Sequence, residues 1–391
     1  MRNQIVNLLV FLLKTEGKKC PPEKFFPLNE KKLLEIARKN KVLPYLFHFL
    51  GCSSCKKKIT VKTIKTIVAY QKFTSLWPFL YQEEKRKLNN FCRRKKIKCV
   101  LLKDFSDYPK MEMHQKYLLG TDLDLLIKKE DLVKIELFLK EKDYQLKEHL
   151  VLEEKGFHYE EKNYVHPHKK LSIDLHPYLA IPHSDEFDFL SPPVIKNLGE
   201  EIFLNSSTSW TGKNNQKNFG LFIPHLNYFL ISLIIHHINT NLLRGLRNLF
   251  DIVKLAELYG QEINWDDFLS LSQKFKIKNF SLFLFLTGAQ IFGIKMPPNI
   301  RIKTKLPLKI SFFLPYWSPE KIALFPSTEK WSTKNRAAQK IFIENFFLKF
   351  FLCDSVPFKR MFRPKIILFS LKILLSWFNK FVALLYQKFS G

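Results

Sequence analysis

Three aspartates in two strand-like segments are the residues of this chain best suited to do chemistry. Asp122 and Asp124 lie two residues apart in the segment 120–127, so on a β-strand both carboxylates point to the same face. Asp174 lies between two apolar residues in a second such segment further along the chain. Converging carboxylates repel one another unless a cation neutralises them, and carboxylate oxygens suit Mg²⁺ (or Mn²⁺). The pattern therefore predicts a site that holds a metal ion against a nucleoside triphosphate (NTP) for displacement at phosphorus.

Most isolated Asp-x-Asp pairs are solvated strand ends or turn residues, so the sequence around this pair must indicate whether it is a metal site. Gly120 and Thr121 precede it as a turn, and the flanking residues are apolar. A second Asp-bearing strand then follows at the spacing of a βαβ unit. The metal-site interpretation is favoured, and Thr121 is included among the predicted nucleotide-binding residues.

Several segments around these aspartates match one family in order. They are 100–103, Tyr117, 121–126, 143–144, 173–176, 246–253 and 263–266. Over residues 1 to about 290 the chain resembles the uncharacterised nucleotidyltransferase family, bacterial proteins with the DNA-polymerase-β-type nucleotidyltransferase fold. The resemblance implies that Asp122 and Asp124 bind metal ions and that Asp174 is the third carboxylate. Asp174 would help to deprotonate a hydroxyl acceptor, and pyrophosphate would leave.

Three basic residues are predicted to support this site. Lys103 follows the first strand, and Lys103 and Arg247 would offset the charge of the triphosphate. His176 shares a face with Asp174, so it would orient a carboxylate or contact the acceptor, or else be a structural histidine. For Arg247 the alternative is a local ion pair with Asp251, four residues later on a helix.

Two positions depart from the family pattern. Asp104 stands where the family usually has a glycine at the turn that meets the triphosphate, and it adds negative charge there. Of the family's two helix histidines, His237 fits one position and Asn241 falls at the other. These departures bear on catalysis rather than on fold. They support an alternative, in which an inactive nucleotidyltransferase fold binds a nucleotide, nucleic acid or an anionic membrane surface.

Composition excludes a disordered chain and indicates an anionic partner. Apolar residues make up 46% of the sequence and include 38 Phe, which is ample for buried cores. The net charge is +28, with the excess strongest after Lys295. Nucleic acid, an anionic membrane or a polyanionic substrate would suit this charge. An AT-rich genome, which favours Lys, Ile and Phe codons throughout the chain, is given equal weight as the explanation of the positive charge.

The fold class indicated is α+β, a small mixed β-sheet core flanked by helical regions at both ends. We predict an N-terminal helical region over 1–95, the catalytic core over 96–205, a helical domain completing the cleft over 206–292, and a basic tail over 293–391. The apolar stretch 226–238 is too short to span a membrane and is predicted to be a core helix.

Finer predictions concern a hairpin, the tail and the cysteines. Strands near 158–160 and 164–166 are predicted to form a hairpin with Lys162 and Asn163 near its turn. Residues 364–389 are predicted to form a basic amphipathic helix that would lie in an anionic membrane interface or dock on the protein's own core. The six cysteines are predicted to be reduced thiols, in preference to a zinc site. The expected location is the cytoplasm, and peripheral binding to the inner face of the membrane is left open.

Overall fold

The computed structural model describes most of the chain up to residue 295. The described residues are 2–17, 19–50, 56–111, 122–154, 157–169, 171–177, 192–207, 219–236, 245–295 and residue 319. Several sequence predictions lie outside them. These are the ones on Thr121, His237, Asn241, Cys52, Cys55 and the tail helix over 364–389.

The first part of the chain is helical, as predicted. Its helices are α1 (Arg2–Lys14), α2 (Glu30–Lys39), α3 (Leu43–Leu50) and α4 (Val61–Arg94). The predicted N-cap of α2 is confirmed, because the Asn29 side chain accepts a hydrogen bond from the backbone N–H of Lys32. Thr60 caps α4 in the same way, through the backbone N–H of Thr63.

A seven-stranded mixed sheet follows, so the predicted α+β class is confirmed. The elements of this part are β1 (Lys98–Leu101), β2 (Asp122–Ile127), α5 (Lys129–Glu141), β3 (Gln145–Glu154), β4 (Phe157–Val165) and β5 (Ser172–His176). The remaining elements are α6 (Pro192–Leu204), β6 (Ser206–Ser207), β7 (Gly220–Pro224), α7 (Leu226–His236), α8 (Leu246–Leu258), α9 (Trp265–Lys274) and α10 (Lys278–Phe292). The strand order is β3-β4-β5-β2-β1-β7-β6, with β2 parallel to β5 and antiparallel to β1.

The hairpin turn differs from the prediction. β3 and β4 pair in antiparallel fashion from Gln145 opposite Val165 to Glu154 opposite Phe157, so the connected end of the hairpin is at Glu154 and Phe157. Lys162 and Asn163, predicted near the turn, lie inside β4. The prediction failed because the residues of β3 from 145 to 151 are exposed and lack the one-sided apolar alternation that marks a half-buried strand.

The two faces of the sheet pack against two separate hydrophobic clusters. Cys99 and Leu101 of β1, and Leu123 and Leu125 of β2, belong to the cluster that includes α5 and the C-terminal half of α4. The intervening positions, including Val100 and Leu126, belong to the cluster formed by the N-terminal helices together with α7, α8 and α10. Because side chains alternate along a strand, the carboxylates of β2 share the face of Leu126. They therefore point toward this second group of helices.

α7 is the core helix predicted for the apolar stretch 226–238. Leu226 and all residues from Phe229 to Ile235 are buried. None of the helices in the described residues combines the length and the apolar character needed to cross a membrane.

The cysteines follow the prediction only in part. Cys92 and Cys99 are free and buried, with their sulfur atoms 3.6 Å apart. Cys20, in contrast, is disulfide-bonded, so the prediction that all six cysteines are reduced is wrong at this position.

A close approach between α8 and α10 yields a stability prediction. A Cβ atom added at Gly288 would lie 2.3 Å from Cγ1 of Val253, much nearer than a van der Waals contact. We expect Gly288→Ala to lower the free energy of unfolding by roughly 1–2 kcal/mol, since overpacking outweighs the better helix propensity of alanine. Denaturant unfolding of Gly288→Ala, Val253→Ala and the double variant checks it. The double variant should lose less than the sum of the two single losses, and strict additivity would contradict the steric explanation.

Candidate active site

The candidate site forms where β2 and β5 run side by side. Their parallel register places Asp124 directly opposite Asp174, and Asp122 opposite Ser172. One ligand atom each from Asp124, Asp174 and His176 lie within 4.8 Å of one another. The predicted convergence of Asp124 and Asp174 is thus observed. Asp122 lies on the same face two residues earlier and adds to the negative potential, since its charge helps to raise the pKa of Asp174.

Asp124 is the most heavily contacted carboxylate of the site. It is 4% exposed, and its Oδ1 accepts a hydrogen bond from Lys103 Nζ at 2.5 Å and lies 3.2 Å from Nε2 of His176. Burial by itself would raise the pKa of Asp124, but Lys103 and His176 hold it well below its usual range. Asp124 is therefore ionised, and protein cations offset its charge.

Asp174 behaves in the opposite way. Burial, and then the neighbouring Asp124 carboxylate, raise the pKa of Asp174 to about 7. The side chain of Asn163, on the adjacent strand β4, donates a hydrogen bond to its Oδ1. A carboxyl group whose ionisation is resisted by a second carboxylate marks a place where a cation would be bound favourably.

His176 connects the two sides of the site. Its Nε2 faces Asp124, and its Nδ1 lies 3.4 Å from Oε2 of Glu161 on β4. Although burial opposes the charged form, these two carboxylates raise the pKa of His176 to about 10. With these two contacts the ring lies between Asp124 and Glu161, and both carboxylates favour its charged form.

The raised pKa of His176 predicts a pH-dependent stability. Because the folded protein binds this proton more tightly than the unfolded chain does, the stabilisation is complete below pH 6.5 and is lost as the pH rises toward 10. In EDTA at pH 6, the free energy of unfolding of the wild type should be higher than that of His176→Asn by on the order of 2–4 kcal/mol. Urea unfolding from pH 6 to 10 measures this difference. A difference that stays constant or widens with pH would contradict the charged pairing.

The remaining predicted site residues have contacts of their own. Lys103, predicted to face the triphosphate, forms the ion pair with Asp124. For Arg247 the local alternative is observed, since its Nε lies 3.1 Å from Oδ2 of Asp251 and both side chains are buried. A role for either cation toward a triphosphate remains a prediction.

Asp104, predicted to add negative charge near the phosphates, has side-chain partners within the protein. Its side chain is buried, forms an ion pair with Lys85 of α4, and accepts a hydrogen bond from the backbone N–H of Ser106 at 2.8 Å. It caps the short 3₁₀ helix Phe105–Asp107. Asp104, which stands in place of the family glycine, is therefore paired with a lysine of the protein, and Asp107 shares that lysine.

Three residues of the site were not identified from the sequence. Glu161 and Asn163 lie two residues apart on β4, as do the residues that they contact on β5, His176 and Asp174. Recognising this part of β4 as a strand would have revealed them. His236, at the end of α7, lies close enough for its charge to lower the pKa of Asp124. No local pattern in the sequence links His236 to that aspartate.

The comparison with known families agrees with this geometry. The family model described as "Uncharacterised nucleotidyltransferase" matches residues 27–293, a range that includes the sheet, the carboxylates and α8. The chain belongs to this family. The resemblance noted in the sequence is thereby confirmed, and membership supports a general function in nucleotidyl transfer. Comparisons with curated proteins and with solved structures give no match.

Proposed function

We propose that the chain is a metal-dependent nucleotidyltransferase, which moves a nucleoside monophosphate from an NTP to a hydroxyl acceptor. The observation that carries the proposal is the pairing of Asp124 with Asp174 on parallel strands, inside the range matched by the family. Asp122, Asp124 and Asp174 would hold Mg²⁺ or Mn²⁺, because carboxylate oxygens are the ligands these ions prefer. The bound ion would neutralise phosphate charge and make the acceptor hydroxyl more acidic.

The chain's own residues support each part of the transfer. The acceptor oxygen forms a bond to the α-phosphorus, the bond from that phosphorus to the bridging oxygen breaks, and pyrophosphate leaves with the electron pair. Asp174 is positioned by Asn163 to receive the hydroxyl proton. His176 and Glu161 fix the orientation of Asp124 through a hydrogen-bonded row across three strands. Lys103, which pairs with Asp124, would offset part of the charge of the incoming triphosphate.

The alternative is a fold that binds a nucleotide, nucleic acid or anionic membrane surface without turnover. Its main support in the sequence was the negative charge of Asp104, and the ion pair between Asp104 and Lys85 weakens that support. Retention of all three aspartates also favours an enzyme.

Thermal unfolding with Mg²⁺ and each NTP tests the binding step that both accounts share. Asp122→Asn should remove the metal-dependent rise in melting temperature, whereas Asp143→Asn, an exposed residue in the left-handed backbone region, should not. A rise that persists in Asp122→Asn would place the nucleotide elsewhere.

The acceptor classes we propose to test are small molecules, glycan precursors, protein and RNA. The charge of the chain suits a polyanionic or membrane-associated acceptor. Fractionated lysate supplies all four classes to the purified protein in one experiment.

Membrane contact through residues 364–389 is a separate proposal, supported by the amphipathic pattern of that segment. Deleting residues 364–391 should release the protein from anionic liposomes, because the apolar face and the basic side chains would both be lost. Co-sedimentation with liposomes of phosphatidylserine and phosphatidylcholine measures this, with pure phosphatidylcholine as the control. Undiminished binding by the truncated protein would contradict the proposal.

A further inference from the structure

The buried side chain of Asn40 connects the end of α2 to the start of α8. Asn40, the C-cap of α2, is 2% exposed and its Oδ1 accepts a hydrogen bond from the backbone N–H of Leu246 at 2.9 Å. Its Nδ2 donates to the carbonyl of Ile36 at 2.9 Å, which fixes the orientation of the amide. The residues that follow Asn40 and Leu246, which are Lys41 and Arg247, are therefore held close together.

Lys41 lies at the point where the chain reverses after α2. Its φ of 54° is in the left-handed region, and the backbone N–H groups of Lys41 and Val42 bond to the last turn of the helix at 3.0 and 2.9 Å. The backbone direction at Lys41 is thus fixed by the helix end, while the side chain itself is exposed. A rigidly based and accessible lysine is well placed to meet a ligand from solvent.

The charges around Lys41 identify the cleft it faces. Loss of hydration in the crowded surroundings, together with Arg247 and Lys103, lowers the pKa of Lys41, against the opposite effect of Asp122 and Asp124. Because the side chain remains exposed, the loss of hydration is only partial. The same carboxylates face the helices that include α2 and α8, on the opposite side of the sheet from α5. Lys41 therefore lies on the side of the sheet that the carboxylates face, near enough for the charges of Asp122 and Asp124 to act on it.

The three cations around this cleft differ in their partners. Lys103 is bound to Asp124, and Arg247 to Asp251. Within the residues that the structure describes, the Lys41 ammonium has neither a hydrogen bond nor an ion pair. It is also repelled by both other cations, so an anion that enters between them would relieve this repulsion.

We infer that Lys41 binds the β- and γ-phosphates of the NTP, the part that leaves as pyrophosphate. This inference rests on the proposed function, since the α-phosphate must lie at the carboxylates to react. The leaving part then extends toward the helical side of the cleft, where Lys41 meets it. A lysine ammonium suits this task because it is a compact charge with three donors on a flexible stem.

Direct binding measurements with pyrophosphate, an NTP and a nucleoside monophosphate, each with Mg²⁺, test the inference. Lys41→Met should raise Kd for the NTP and for pyrophosphate about 10-fold, which is about 1.4 kcal/mol. Its Kd for the monophosphate should change less than about twofold, and Lys41→Arg should recover most of the lost affinity. Lys39→Met is the matched control, because Lys39 is exposed on α2 and pairs with Glu35 at 3.0 Å. Isothermal titration calorimetry gives each value.

The outcomes separate this inference from the proposed function. If wild type binds the NTP and pyrophosphate and Lys41→Met binds them equally well, the role of Lys41 is overturned and the proposed function stands. If wild type binds neither ligand in Mg²⁺, both fail. Equal losses for the monophosphate and for pyrophosphate would also overturn the assignment, because the contact would then not be specific to the leaving phosphates. Apo melting temperatures of the variants confirm that each one is folded.

Discussion

Asp124→Asn is expected to reduce nucleotidyl transfer by at least about 10³-fold, which corresponds to about 4 kcal/mol of transition-state stabilisation. The substitution keeps the shape of the side chain and removes the charge that faces Asp174, Lys103 and His176. An amide offers only a weak neutral oxygen to a metal ion, so the ion and its charge stabilisation would be lost. Initial rates of label transfer from an NTP, measured at saturating Mg²⁺, give the comparison.

The control for Asp124→Asn must separate chemistry from folding. Removing the carboxylate leaves Lys103 and the buried His176 without their shared partner, so the melting temperature of the metal-free variant should also fall. Rates are therefore compared at temperatures well below the transition of the variant. Asp143→Asn makes the same change of charge at an exposed position and should keep the wild-type rate. Near-normal transfer by folded Asp124→Asn would contradict the assigned role.

Asp104→Gly, which restores the usual residue of the family, is expected to destabilise this protein by about 3 kcal/mol. The side chain of Lys85 is only 10% exposed, and loss of Asp104 would leave its charge buried with Asp107 as the remaining carboxylate. The 3₁₀ helix that follows would also lose its cap. Urea unfolding measures the loss.

The double variant Lys85→Met/Asp104→Gly tests the cause of that loss. Because Lys85 and Asp104 contact each other directly, the double variant should lose less stability than the sum of the losses of Lys85→Met and Asp104→Gly, and strict additivity would contradict the ion-pair explanation. The contrary hypothesis is that Asp104 repels the triphosphate. It predicts that Asp104→Gly binds the NTP more tightly at unchanged stability, and that result would contradict the structural role.

The parts of the fold that the sequence predicted are those with a strong local pattern. β1, β2 and β5 are short apolar runs with polar residues at defined positions, and both their existence and their strand character are confirmed. α2 was marked by Asn29 at its N-cap, and α7 by an unbroken apolar run. In each case local preference and tertiary burial favour the same structure.

The parts that were missed depend on contacts between distant segments. β3 is exposed along most of its length, so no alternation reveals it, and with it the positions of Glu161 and Asn163 on β4 were lost. The orientation of Asp104 depends on Lys85, a residue of the preceding helix. The hydrogen bond from Leu246 to Asn40 brings Lys41 to the start of α8, and nothing in the sequence around Lys41 suggests an interaction with a nucleotide.

The most direct test of nucleotidyl transfer compares two labels of the same NTP. Purified protein is incubated with Mg²⁺ or Mn²⁺, lysate fractions, and each NTP labelled with ³²P at either the α- or the γ-position. If the protein is a nucleotidyltransferase, the α-label passes to an acceptor and the γ-label to pyrophosphate, and Asp122→Asn abolishes the release of label into both products. Label from the γ-position in the acceptor, or metal-dependent NTP binding with no α-label transferred in any fraction, would contradict nucleotidyl transfer.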